Sequence, residues 1–274
     1  MPALHGPFRK TADNRGVLAT HEWPPPSAAD ASATRTAVLV HGVTGWHRTW
    51  WRVGPALAER GWRVVAVDQR GHGRSLPIDG FTTIAELAAD LAAAMERIGA
   101  PVEALIGHSL GAAVSAELAH ERPDLVQRLV LEDPPSVERA DDAAWHANLE
   151  REYHAALEDP EAEVARELAE NPRWLEEDAR QNVRGRQLAD LAGILATFRR
   201  DTGARVLDLV PRQTVPALYV LGSEGRSVFS GDARRRLERT LPANARAVVM
   251  DAGHTVHRDR FEEYMAAVLD WVDG

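Results

Sequence analysis

A glycine-bounded pentapeptide, Gly107-His108-Ser109-Leu110-Gly111, constrains this chain more than any other stretch. It stands between an apolar run, Val102 to Ile106, and a small-residue helical run, Ala112 to Ala119. Strand, sharp turn and helix is the setting in which a serine backbone is strained and its hydroxyl thrust clear of a sheet, provided its neighbours carry almost no side chain. Gly107 and Gly111 meet that condition. The serine also precedes the first turn of a helix, where unpaired N–H groups and the helix dipole favour a developing negative charge. The spacing predicts a nucleophile on a strained turn rather than an incidental loop serine.

The remaining chain alternates around that turn. Gly16 to Trp23 reads as an early edge strand, and Pro24-Pro25-Pro26 with the Ala/Ser/Asp stretch to Thr34 as a surface loop. Thr36 to Val40 is a β-branched run suited to a doubly buried parallel strand, and the loop His41-Gly42-Val43-Thr44-Gly45-Trp46 follows it at the ligand edge of an open sheet. Trp50 to Arg60 suits a helix closed by Gly61, Trp62 to Val67 a strand, and Asp68 to Ser75 a turn-rich loop. Ile84 to Ile98 is an amphipathic helix ended by Gly99, and Leu125 to Leu131 is another buried strand ending at Glu132-Asp133-Pro134-Pro135.

From Ser136 to about Arg212 the texture is purely helical, with Ala, Leu, Glu and Arg dominant. Trp145, Tyr153, Leu157, Trp174, Leu188, Leu191, Ile194, Leu195 and Phe198 are its apolar positions; most should pack internally and some should face a cleft. Strand and helix then resume with Ala217 to Leu221, Asp232 to Leu241, Ala247 to Met250, the loop Asp251 to Thr255, and a last helix from about Arg258 to Trp271. Repeating β-α units imply the α/β class: a mostly parallel sheet with helices on both faces. The predicted organisation is a core of residues 1–135 and 213–274 interrupted by a helical insertion at 136–212.

At 274 residues the chain could be one large domain or two small ones, with ample length for a full core. A net charge of −9 argues against nucleic acid or an anionic membrane as partner, and Arg234-Arg235-Arg236, the densest basic cluster, reads as a solvated helix face. With no cysteine, disulfides, thiolate metal sites and cysteine nucleophiles are excluded together. Met1 to Asn14 lacks the apolar core of a signal peptide, and no apolar run approaches the roughly 20 residues that span a bilayer. Cytoplasmic is the default expectation.

With these motifs assembled, the sequence resembles the α/β-hydrolase superfamily over nearly its whole length. The resemblance rests on His41-Gly42, the D-x-R-G-H-G-x-S loop from Asp68 to Ser75, the pentapeptide around Ser109, and Gly253-His254 before the last helix. It implies that the 136–212 insertion is a cap. These motifs specify the fold well and the substrate poorly.

A serine hydroxyl needs a base to take its proton and a third group to hold that base in the right tautomer. His254 fits the fold's chain order of nucleophile, acid, histidine, with His257 its local competitor; a His-x-x-His metal site lacks a third ligand nearby. Most of the family places the acid after the strand corresponding to Ala217–Leu221, yet Gly225 stands where the aspartate would be and only Glu224 is close. A minority, including haloalkane dehalogenases and some lactonases, carries it one strand earlier, where Asp133 lies. Asp133 is the expected acid and Glu224 the alternative; Glu132 comes third, since strand neighbours point to opposite faces.

The expected oxyanion donors are the N–H groups of Leu110 and Val43. His108 should pack under the turn and border the substrate together with Trp46, Trp145 and Trp174, while His41 and His72 should organise loops by hydrogen bonding. No cofactor and no metal is expected. The partner implied is a small or medium hydrophobic ester or lactone, cleaved by a serine esterase or lactonase. A carbon–carbon bond hydrolase, a cofactor-free haloperoxidase-like enzyme, or a non-catalytic binding protein on the same fold are the alternatives. Epoxide hydrolase and dehalogenase chemistry use an aspartate nucleophile, which a serine here disfavours.

Overall fold

The computed structural model describes residues 18–26, 35–136, 143–200, 206–229 and 231–274. The expectations for Met1 to Asn14, for the loop before Thr34 beyond Pro26, and for the start of the insertion at 137–142 lie outside the described residues.

Seven strands are described: β1 (Ala19–Trp23), β2 (Thr36–Val40), β3 (Arg63–Asp68), β4 (Val102–His108), β5 (Val126–Glu132), β6 (Ala217–Leu221) and β7 (Ala245–Val249). They form one sheet in the order β1-β3-β2-β4-β5-β6-β7. β1 runs antiparallel to β3, and every other pairing is parallel. The strand order reverses direction of growth after β3, so the loops following β2 and β4 meet at the carboxyl edge, where an open α/β sheet binds ligands.

The helices are α1 (Val53–Ala58), α2 (Ile84–Ile98), α3 (Leu110–Glu121), α4 (Ala143–Glu158), α5 (Pro160–Glu170), α6 (Glu176–Gln187), α7 (Leu191–Phe198), α8 (Val206–Leu209), α9 (Asp232–Thr240), α10 (Val256–Asp259) and α11 (Phe261–Asp273). Local chemistry sets their ends. Thr83 and Glu86 form a reciprocal capping box at the start of α2, and Gly99, at φ 108°, supplies the left-handed residue that stops it.

Alternation along the central strands divides the core in two. Val38, Val40, Leu105, Leu129 and Tyr219 face α2 and α3 on one side; Leu39, Ile106, Val130 and Val220 face α1 and α11 on the other. The inserted helices carry a small core of their own, Ala156, Val164, Ala179 and Val183, with Leu168 and Trp174 half-buried against it. Their α7 residues Ile194, Leu195 and Phe198 join the main core instead.

Three boundaries differ from the sequence reading. The helix expected from Trp50 begins as a separate 3-10 turn at His47–Trp50, with α1 confined to Val53–Ala58. β7 starts at Ala245, two residues early, because its register is set by pairing with β6 alone and its half-exposed side chains give little apolar pattern. The last helix is broken at Arg260, whose φ −139° and ψ 54° separate α10 from α11.

Candidate active site

Ser109 lies between β4 and α3 at φ 52° and ψ −119°, a backbone conformation uncommon for a residue with a side chain. A Cβ at Gly107 would overlap the Gly111 carbonyl, and one at Gly111 would overlap the Val40 carbonyl. Both glycines are therefore required by close backbone approach, which is why the strand can turn this tightly. The Ser109 N–H donates to the Glu132 carbonyl at 2.9 Å, tying the turn to the end of β5.

His254 enters from the loop after β7. Its Nε2 lies 2.9 Å from the Ser109 hydroxyl and its Nδ1 lies 2.7 Å from Asp133 Oδ2. A carboxylate can only accept, so Nδ1 carries the proton and Nε2 is left to accept from Ser109. Asp133 is fully buried at φ 41°. Besides His254 its oxygens accept from the N–H of Gly222 at 3.2 Å, the N–H of Val228 at 3.1 Å and the hydroxyl of Ser227 at 2.5 Å. Four donors thus converge on one carboxylate. Ser227 escaped the sequence reading, as nothing in its local pattern distinguishes it from other loop serines.

Glu224 is directed elsewhere: its exposed carboxylate accepts from Gly231 N–H at 2.8 Å and faces Arg234 at 3.4 Å. Glu132 and His257, the remaining alternatives for acid and base, pair with each other. Leu110 opens α3, whose first N–H groups have no intrahelical acceptor. The loop carrying Val43 lies directly against Ser109, since a Cβ at Gly42 would sit 3.0 Å from that of Ser109.

The surrounding histidines serve as fixed hydrogen-bonding posts. His41 Nδ1 donates to the Gly42 carbonyl at 2.8 Å while its Nε2 accepts from Gln69 N–H at 3.1 Å. His72 Nδ1 donates to the Arg70 carbonyl at 2.9 Å. His108, placed under the turn, donates from Nε2 to the His254 carbonyl at 3.1 Å. Burial pushes all three down from an ordinary 6.5, His41 to about 3. Below 6.5 the unfolded chain binds protons that the folded chain refuses. The stability that rests on keeping these rings neutral is therefore whole above 6.5 and lost as the pH falls below it, for His41 down to about 3, at up to about 1.4 kcal/mol per pH unit. Tm measured at neutral pH and stepwise into acid is expected to fall, and His41→Gln to flatten that fall.

The four aromatic and histidine residues expected to border the substrate have separate fates. Trp46 donates its indole N–H to the Gln181 carbonyl at 3.2 Å, and Trp174 donates to Asp259 Oδ1 at 3.0 Å with Arg258 stacked over its ring. Both join the inserted helices to the sheet domain. Trp145 packs against Phe198, ring centres 4.9 Å apart, beside the main core. His108 is buried beneath His254. A cleft of about 810 Å³ opens between the Gly71–Pro77 loop and helices α4, α6 and α7, lined by Tyr153, His154, Leu188, Asp190 and Leu191. Ser109 and His254 do not line it; a third of the His254 side chain is open to solvent directly.

A mostly parallel sheet that brings a strained serine, a histidine and a buried acid to the carboxyl ends of its strands has the architecture of an α/β hydrolase. The chain belongs to that family, whose alpha/beta hydrolase fold model matches residues 37–261. It is 30% identical over 261 residues to the sn-1-specific diacylglycerol lipase ABHD11 of Mus musculus, covering 89% of this chain and 83% of that one. Among solved structures it is similar to E-2-(acetamidomethylene)succinate hydrolase, with a TM-score of 0.75, 25% identity, and coverage of 94% of this chain and 95% of the other. The enol-lactonase of Burkholderia xenovorans LB400 shares the fold at a TM-score of 0.71 and 21% identity, covering 94% and 97%.

Proposed function

We propose that this chain is a serine hydrolase that cleaves a carboxylic ester or lactone of a small to medium hydrophobic substrate through an acyl-enzyme on Ser109. The observation that carries this is the unbroken relay from the Ser109 hydroxyl through His254 to Asp133. His254 Nε2 removes the hydroxyl proton as Ser109 Oγ attacks the carbonyl carbon, and Asp133 stabilises the imidazolium that forms. The N–H groups of Leu110 and Val43 receive the oxyanion. Collapse expels the alkoxide, which takes the proton from His254; water, deprotonated by the same nitrogen, then releases the acid.

The lipase relative supports acyl-ester chemistry over carbon–carbon cleavage. The inserted helices α4, α6 and α7, joined to the sheet domain through Trp46 and Trp174, act as the cap in this reading. No charged side chain is required for recognition in this reading. The test is mass spectrometry of the protein quenched during hydrolysis of p-nitrophenyl acetate, butyrate and a panel of lactones. An acyl adduct on the peptide containing Ser109, formed with a burst of product, is the expected result. Absence of both adduct and turnover across the panel would move the protein to the ligand-binding class.

A further inference from the structure

Below the relay lies a second acid–histidine pair. Because successive strand residues point to opposite faces, Asp133 meets His254 while Glu132 enters the layer where α10 begins. Glu132 is fully buried. Its carboxylate accepts from the backbone N–H of His257 at 2.8 Å, and from His257 Nδ1 at 2.8 Å and 2.9 Å through its two oxygens. The His257 ring is held between Trp50, 4.7 Å away, and Tyr264, 5.9 Å away. Burial would raise the Glu132 carboxyl, but His257 and His108 beside it hold it below the usual range, so it stays an anion.

The loop carrying His254 follows an edge strand paired on one side only. The hydrogen bond from His254 to Asp133 fixes the ring; the backbone behind it needs its own anchors. Its anchors include His108 on the His254 carbonyl, Asp259 on the Gly253 N–H at 2.5 Å, Ser223 N–H on the Ala252 carbonyl at 2.8 Å, and Glu132 on the first turn of α10. Glu132 reaches both partners of the proton transfer from β5, as His108, next to Ser109 in the chain, does from β4. The Glu132 carbonyl holds the Ser109 N–H while its carboxylate holds the turn three residues after His254.

We propose that Glu132, acting through His257, is a positioning residue that sets the approach of His254 to Ser109; this rests on the serine-hydrolase reading above. A neutral amide cannot replace it fully. His257 Nδ1 lies 2.9 Å and 2.8 Å from the two carboxylate oxygens, and a glutamine puts an NH₂ donor in place of one of them, facing the Nδ1–H. A misplacement of about 1 Å between base and nucleophile costs on the order of 100-fold in rate.

The experiment uses p-nitrophenyl butyrate, with kcat normalised to sites titrated by a fluorophosphonate. Glu132→Ala is expected to lower kcat per titrated site about 100-fold and Glu132→Gln about 10-fold, with KM within twofold in each. The double variant Glu132→Ala/His257→Ala should lose no more than the larger single loss, since both remove one linkage. The downfield proton resonance of the His254–Asp133 hydrogen bond should shift or broaden in Glu132→Gln. A purely structural role would lower Tm and the yield of titratable serine while leaving kcat per site and that resonance intact, and that result overturns the proposal. If Glu132→Ala does not fold, Glu132→Gln and His257→Asn carry the same comparison, and kcat per site within twofold of wild type in both overturns it. Ser109→Ala run alongside separates the two claims. An active Ser109→Ala defeats the serine-hydrolase reading, whereas an inactive one beside fully active Glu132 variants defeats only the positioning role.

Discussion

Ser109→Ala is expected to lower kcat for p-nitrophenyl butyrate by about 10⁶-fold, the scale of loss when the nucleophile of a serine triad is removed. Alanine keeps the Cβ, so the turn retains the same positive φ and the same contact with Gly42. The oxygen alone is lost. Ser109 is nearly buried, and its hydroxyl hydrogen-bonds to His254, which remains anchored by Asp133 and by His108. Tm should therefore stay within a few degrees of wild type, because a buried hydroxyl and its hydrogen bond contribute only about 1 kcal/mol. Substrate affinity, measured as binding of a non-hydrolysable ester analogue, should persist. Rates equal to wild type would remove Ser109 from the chemistry.

The turn was legible in the sequence because its requirement is negative: two positions must lack side chains, and Gly107 and Gly111 do. The Thr36–Val40, Val102–Ile106 and Ala217–Leu221 strands were legible because they are buried on both faces and read as continuous apolar runs. β7 was less so, since an edge strand with half-exposed residues lacks that signature. The place of an aromatic in the sequence carries no information about where its polar edge finds an acceptor. Trp174 and Trp46 accordingly went to the seam with the sheet domain through their indole N–H groups. The choice between Asp133 and Glu224 depended on three-dimensional donors, Ser227, Gly222 and Val228, which come from the loop where a family acid would stand and converge on a residue one strand earlier. Nor could sequence say that Glu132 and His257, each a rival for a triad position, would satisfy one another.

Asp133→Asn is expected to lower kcat by about 10⁴-fold, whereas Glu224→Gln should leave it within twofold. The asymmetry follows from the donors each carboxylate faces. At Asp133, the Gly222 N–H and Ser227 hydroxyl fill Oδ1, and the Val228 N–H and His254 Nδ1–H fill Oδ2. An asparagine has one acceptor oxygen for those four donors. Its NH₂ takes the remaining place, and where that place is the one facing His254 the imidazole answers with the other tautomer, protonated at Nε2 and unable to accept from Ser109. Glu224 itself is exposed and meets Gly231 N–H and the half-buried Arg234, and a glutamine oxygen can still accept from that N–H. Measuring kcat and kcat/KM for both variants on one substrate, with Tm as the control for folding, reads the assignment directly. A 10⁴-fold loss carried by Glu224→Gln with Asp133→Asn near wild type would transfer the acid role to the loop after β6, and would require that loop to rearrange before catalysis.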